Sequence, residues 1–251
     1  MKNTEDTNKT YADYPKYLYV RYDDHAVLRL KRVPRENGDV VYYMDFDFGC
    51  YDYTESKCDY VNLSKKENEN VIDILHWIES IDPGAFCRIH KNIPNRIIPY
   101  VLLIPTYGDR GFCWEPFDRY NRVTSRGRIV IPMYPRDLKI AILTAVADLR
   151  WQVAKEKASY YWMEEGLTGQ YYQYIDRQKL KGDLKAFFIE DYVLWMTKEA
   201  NGVQRLDKEV RGIFWRNMPF PKDLKEELRK RSLVYDELCI KDNNRAMSDG
   251  Y

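Results

Sequence analysis

Histidine is the scarcest chemistry-bearing residue in this chain: His25, His76 and His90 are all there are in 251 residues. The sequence also contains no G-x-S-x-G, no G-x-x-x-x-G-K-[ST] and no G-x-G-x-x-G. These absences remove the common nucleophile–base, phosphate-loop and dinucleotide-binding classes and point away from catalysis. Cysteine is sparse as well. Cys50, Cys58, Cys87, Cys113 and Cys239 are odd in number and irregularly spaced, which argues against a disulfide framework and for a reducing compartment. No apolar run reaches membrane-spanning length, and the N-terminal M-K-N-T-E-D-T-N-K-T lacks an apolar signal core. A cytoplasmic protein without a membrane partner is the expectation.

Net charge is the last absence. A formal +1 supplies no whole-molecule field for polyanions, so any anion must be met by a local patch. The charge is unevenly placed. Asp39, Asp45, Asp47, Asp52, Glu55 and Asp59 face only Lys57 between positions 39 and 59, whereas Arg110, Arg119, Arg122, Arg126 and Arg128 outnumber Glu115 and Asp118.

What the chain has in quantity is charge, at 31% of residues, and tyrosine, 22 of them. Its organising stretch runs from Tyr134 to Gly166, with Pro135 and Asp137 as start signals and Gly166 as the stop. Leu138, Ile142, Ala145, Val146, Leu149, Val153, Tyr160 and Met163 recur at helical spacing. The spacing predicts one long helix whose first half is buried on most sides.

Before this helix the pattern is mostly strand-like. Tyr17–Tyr22, Ala26–Val33 and the period-two run Tyr42, Met44, Phe46, Phe48 read as strands, the last two forming a hairpin. Val71, Ile74, Leu75 and Ile78 predict a short amphipathic helix over 69–81. Strands resume at 85–90, 97–104 and 127–134; Pro99 and Pro132 predict that the last two are edges or carry bulges. Beyond Pro135 the reading is helical, with starts at Asp183, Asp207 and Pro221. The chain is thus expected to be α+β: residues 1–14 a loose tail, 15–134 a mostly antiparallel sheet domain with a short helix, 135–240 a helical bundle, and 241–251 a second loose tail.

The strongest functional signal is Arg110 to Arg128, where guanidinium groups alternate with Phe112, Trp114, Phe117 and Tyr120. Arginine forks match phosphate and carboxylate oxygens in pairs, and aromatic faces stack on bases. A second aromatic crowd, Ser159 to Tyr174, includes Tyr160, Tyr161 and Trp162; its aromatics equally suit a bundle core. The site expected from sequence comprises Arg110, Trp114, Arg119, Arg122, Arg126, Arg128, Tyr160, Tyr161 and Trp162. Arg110 to Arg128 equally suits an internal ion-pair network. Asp148, the one acid in the most apolar part of the organising helix, requires a buried partner, expected to be an arginine of the preceding run.

Metal chemistry reads poorly. Cys87 and His90 with Cys50 and Cys58 do not match a common zinc spacing, and Asp45, Asp47 and Asp52 suit a solvated strand face. No metal and no cofactor are expected. The function that follows is a non-catalytic binding or adaptor module for an anionic small molecule or an acidic protein surface. Nucleic-acid association is the first alternative and a metal-dependent phosphoesterase on the three aspartates the second.

Overall fold

The computed structural model describes residues 19–20, 28–34, 40–46, 65–90, 93–96, 99–107, 110–113, 128–218 and 220–248. The chain forms two compact units, Met1–His76 with Ile97–Leu149, and Trp77–Arg96 with Arg150–Tyr251. Among the described residues it is mostly helical, and α+β in the broad sense.

In the first unit, β1 (Tyr19–Val20) precedes the hairpin of β2 (Leu28–Pro34) and β3 (Val40–Phe46). The hairpin is antiparallel, and its register sets Leu30 opposite Met44 and Arg29 opposite Asp45, as the period-two pattern predicts. Helix α1 (Lys65–Ile81) starts four residues before its predicted first position and buries Val71, Leu75, Ile78 and Ile81. It is followed by a second antiparallel pair, β4 (Cys87–His90) and β5 (Ile93–Arg96).

Three of the five described strand pairings are antiparallel, as expected, but the larger sheet is mixed. It has four strands in the order β1, β6 (Tyr100–Tyr107), β8 (Arg128–Tyr134), β7 (Phe112–Cys113). The first two pairings are parallel and only β7 runs antiparallel to β8. Strands alternating along a sequence invite a hairpin reading, but β1 pairs with a strand some eighty positions later. Of the two outcomes expected for proline in these strands, an edge position or a bulge, the second is found. β6 and β8 are interior strands, not edges, yet their register slips between Ile104↔Pro132 and Tyr107↔Tyr134, where β6 carries Pro105 as well. The missing donors are absorbed by an irregularity.

Asp137 starts α2 (Leu138–Ala158), its side chain accepting from the Ile140 amide at 3.0 Å. All ten residues from 141 to 150 are buried. The helix ends eight residues before Gly166. Ser159 takes φ +53° and a 3-10 turn, Ser159–Tyr161, reverses the chain. Trp162 is thereby set edge-on to Trp151 at 6.5 Å and under the Lys155 ammonium at 4.2 Å. Gly166, at φ +64°, opens the next helix instead of closing this one.

The second unit holds the β4–β5 pair, the last turns of α1 and α2, and the helices α3 (Gly166–Gln178), α4 (Leu184–Thr197), α5 (Lys208–Asn217), α6 (Lys222–Arg231) and α7 (Leu233–Ser248). The caps expected at Asp183 and Asp207 are present, accepting from the Lys185 and Glu209 amides at 3.1 and 2.7 Å. Residues 241–248, expected as a loose tail, continue α7, and Asp242 is held by Trp215 Nε1 at 2.8 Å and Lys225 Nζ at 3.3 Å. The core is aromatic. Trp151, Tyr171, Phe188 and Phe214 lie ring to ring, and Trp195 stacks on Phe220 at 4.0 Å.

The charged side chains buried in this unit are paired. Asp82 accepts from Arg150 Nε and from the Tyr192 hydroxyl, each at 3.1 Å. Burial and the neighbouring Asp82 push that hydroxyl well above the usual tyrosine range. Glu199, fully buried in a 3-10 turn, receives Arg211 Nε (2.7 Å), Tyr235 OH (2.7 Å) and the Arg205 and Leu206 amides (2.7 and 3.0 Å). One carboxylate thus fastens a turn, a loop, α5 and α7.

Candidate functional site

The residues singled out from sequence fare unevenly. Trp114, Arg119, Arg122 and Arg126 lie outside the described residues. Arg110 is exposed, two positions before β7, and Arg128 opens β8 at the register position opposite Tyr100. Tyr160 and Tyr161 are exposed on the turn after α2, at 94% and 57%, while Trp162 is half-buried on Trp151 and Lys155. The rest of that aromatic crowd divides: Tyr171 and Tyr174 are core residues and Tyr172 is at the surface.

Asp148 takes its place by a hydrogen bond from the backbone amide of Cys113, at 3.0 Å, in the segment where its partner was expected. Next to it, the Gly111 amide donates to Thr144 Oγ1 at 2.8 Å and to the Ala141 carbonyl at 3.2 Å. The polar positions of the buried half of α2 therefore receive the β7 backbone. Among the described residues no group of three or more His, Cys, Asp or Glu is placed to hold a metal ion. Cys50, Cys58, Asp47 and Asp52 lie outside them.

The charged feature that sequence reading missed is a cleft of about 320 Å3 walled by α3, α5 and α7. Helical spacing builds each wall. On α3 the lining positions are Gln170, Gln173 and Arg177; on α5 they include Lys208, Gly212 and Arg216, four apart; on α7 they include Leu238, Lys241 and Arg245. Five cations therefore face two carboxylates, Glu209 and Asp242. Both carboxylates are engaged, Glu209 by Arg177 and Asp242 by Trp215 and Lys225.

Arg177 and Arg216 are held in place by side-chain contacts. Arg216 Nη1 donates to Gln170 Oε1 at 2.9 Å, and Asn217 Nδ2 donates to the same oxygen at 3.1 Å. Partial burial, together with the Arg245 charge, lowers the Arg216 guanidinium from its ordinary value. Arg216 and Arg245 thus lie close enough at one end of the groove to repel, with Asp242 opposing the effect. Trp215, although on the lining, is 1% exposed, and Phe220, Tyr235 and Lys225 pack around its ring. It offers nothing a base could stack on. At the middle of α5, a Cβ added at Gly212 would meet no atom within 4 Å, so the floor there is open.

A second cleft, of about 340 Å3, involves Arg150, Cys87, Lys157 and Glu165. Its guanidinium is already held, by Asp82 and by the Asn217 carbonyl at 3.3 Å. The arrangement richer in cations is the α3/α5/α7 groove. Such a lining supplies positive charge and amide donors to an anion.

No helix among the described residues is long and apolar enough to cross a membrane. No curated protein and no solved structure matches the chain. Residues 159–249, which contain α3 to α7 and the whole groove, are similar to a family described as a domain of unknown function, DUF8509.

Proposed function

We propose that this protein is a non-catalytic binding module whose anionic ligand sits in the groove of α3, α5 and α7. The single observation that carries the reading is that five cations, Arg177, Lys208, Arg216, Lys241 and Arg245, line one groove with two carboxylates, Glu209 and Asp242. Fixed cations in a partly desolvated cleft attract anions more strongly than the same charges scattered over a surface. The ligand is a free anion or an acidic segment of another macromolecule, and nucleic acid belongs to the same class through its phosphates.

Labelled dextran sulfate tests the groove without presuming the natural ligand. Replacing Lys208, Arg216 and Lys241 together with alanine is expected to weaken its binding by about tenfold for each cation removed. The melting temperature should stay within about 2 °C, since exposed charges contribute little to stability. A companion variant with Arg122, Arg126 and Arg128 changed to alanine tests the earlier arginine-rich segment. If that variant loses binding and the groove variant keeps it, the anion site belongs to positions 110–128 and the present assignment falls.

A further inference from the structure

We infer that the ligand of this groove is an extended chain of phosphate groups, gripped at two separated points and read by charge instead of by base. The inference rests on the anion-binding reading above and adds the ligand's chemistry and shape.

Shape comes first. Lys208 and Arg216 stand two turns apart on α5, a separation of roughly 12 Å along the axis. Arg216 is tied back to Gln170, and Arg177 is paired with Glu209 near the other end. The two ends therefore do not converge on one point, and a single tetrahedral oxyanion would satisfy one of them only. Between them lies Gly212, above which the groove is open. This is a channel with charge at both ends and clearance at its waist, the outline of a chain in place of a compact ion.

Chemistry follows from the donor set. The Oε1 of Gln170 is taken up by Arg216 and Asn217, which leaves its amide N–H groups as what it can offer a ligand. Arg216, Lys208 and Lys241 are donors without acceptor capacity. The ligand must then be rich in acceptors: each internal phosphate of a chain carries its charge on two unbridged oxygens fixed to the backbone itself, whereas the carboxylates of an acidic peptide sit on flexible side chains that must be ordered on binding. Because the Trp215 ring is enclosed, aromatic stacking contributes nothing, and binding should not depend on base identity.

The test is a competition series against labelled dextran sulfate with the full-length protein. Orthophosphate, tripolyphosphate, long-chain polyphosphate, oligothymidylate, oligoadenylate and poly-glutamate of matched charge are the competitors. Expected are competition by long polyphosphate or the oligonucleotides at least about 100-fold better than by orthophosphate. A plot of log affinity against log salt should have a slope near −2 to −3, flattening by about one unit in Arg216→Ala. Gly212→Leu, which improves helix propensity and so should not unfold the protein, is expected to lower chain affinity about tenfold or more by filling the waist. Polyphosphate outcompeting the oligonucleotides would identify an anhydride chain as the ligand, and the reverse order a nucleic-acid backbone. Equal competition by orthophosphate, equal competition by poly-glutamate, a preference between thymidylate and adenylate, or full binding by Gly212→Leu would each overturn the inference while dextran sulfate still binds. Loss of dextran sulfate binding itself in the wild type would instead remove the parent reading.

Discussion

Glu199→Ala is expected to destabilise the helical unit by about 3–5 kcal/mol, because it leaves the Arg211 guanidinium buried without its counter-charge. Arg211 is 7% exposed and gives two of its hydrogen bonds to Glu199 and one to the Leu206 carbonyl. Tyr235 OH and the Arg205 and Leu206 amides lose their acceptor in the same step. Denaturant unfolding measures the loss, and a cycle with Arg211→Met should return a coupling of about 2 kcal/mol or more between the two positions. A loss under about 1 kcal/mol would mean that water replaces the carboxylate readily. The sign of the pH dependence follows from the same contacts. Burial alone would raise the Glu199 carboxyl, yet the hydrogen bonds from Arg211, Tyr235 and the two amides outweigh it, and the group lies below its ordinary value of 4.5. A carboxyl depressed on folding contributes stability that is complete above the unfolded value and is lost as pH falls through the folded one. The advantage of the wild type over Glu199→Gln should therefore be flat from neutral pH to about 5 and shrink on further acidification. A difference that stays constant into strong acid would show that the charge is not its origin.

Gly111→Ala should cost about 3 kcal/mol, the upper end of what overpacking a core position does. A Cβ at this position would lie 2.6 Å from the Val130 carbonyl oxygen, 2.7 Å from that of Ala141 and 2.7 Å from the Ala145 Cβ. Two of the three obstacles are backbone atoms, one in β8 and one in α2, so no side-chain rotation relieves the clash. The Gly111 amide must also stay within reach of Thr144, and any retreat of the chain loses that bond. Calorimetry should find the melting temperature lowered by roughly 6–12 °C. A variant as stable as wild type would show that β7 is free to lift away from the helix.

The elements legible in the sequence are those decided by neighbouring residues. Asp137, Asp183 and Asp207 start helices because a short acceptor reaches the next free amides whatever else the chain does. The β2–β3 hairpin follows from alternation and a Gly-containing connection. Distance in sequence hides the rest. Nothing in S-Y-Y-W forbids a helix; α2 stops there because Trp162 gains more by folding back over Trp151 and Lys155 than by continuing. The apolar residues of α7 do not gather into one clear stripe, and its ties through Tyr235 and Asp242 run to Glu199 and Trp215, well back along the chain. The groove eluded a search for local basic clusters because its cations come from three helices. A usable signal was nevertheless present in Lys208, Gly212 and Arg216 at four-residue spacing, and in Lys241 and Arg245 at the same interval.

The unbroken run of buried residues from 141 to 150 has a consequence for deuterium uptake. A peptide hydrogen there has no solvent-facing side from which to fray, so it leaves only when the surrounding structure opens. In heavy water, peptides spanning these positions should hold their protons after those from α6 and the last turns of α7 have been replaced, and their rate should report the slowest opening of the chain.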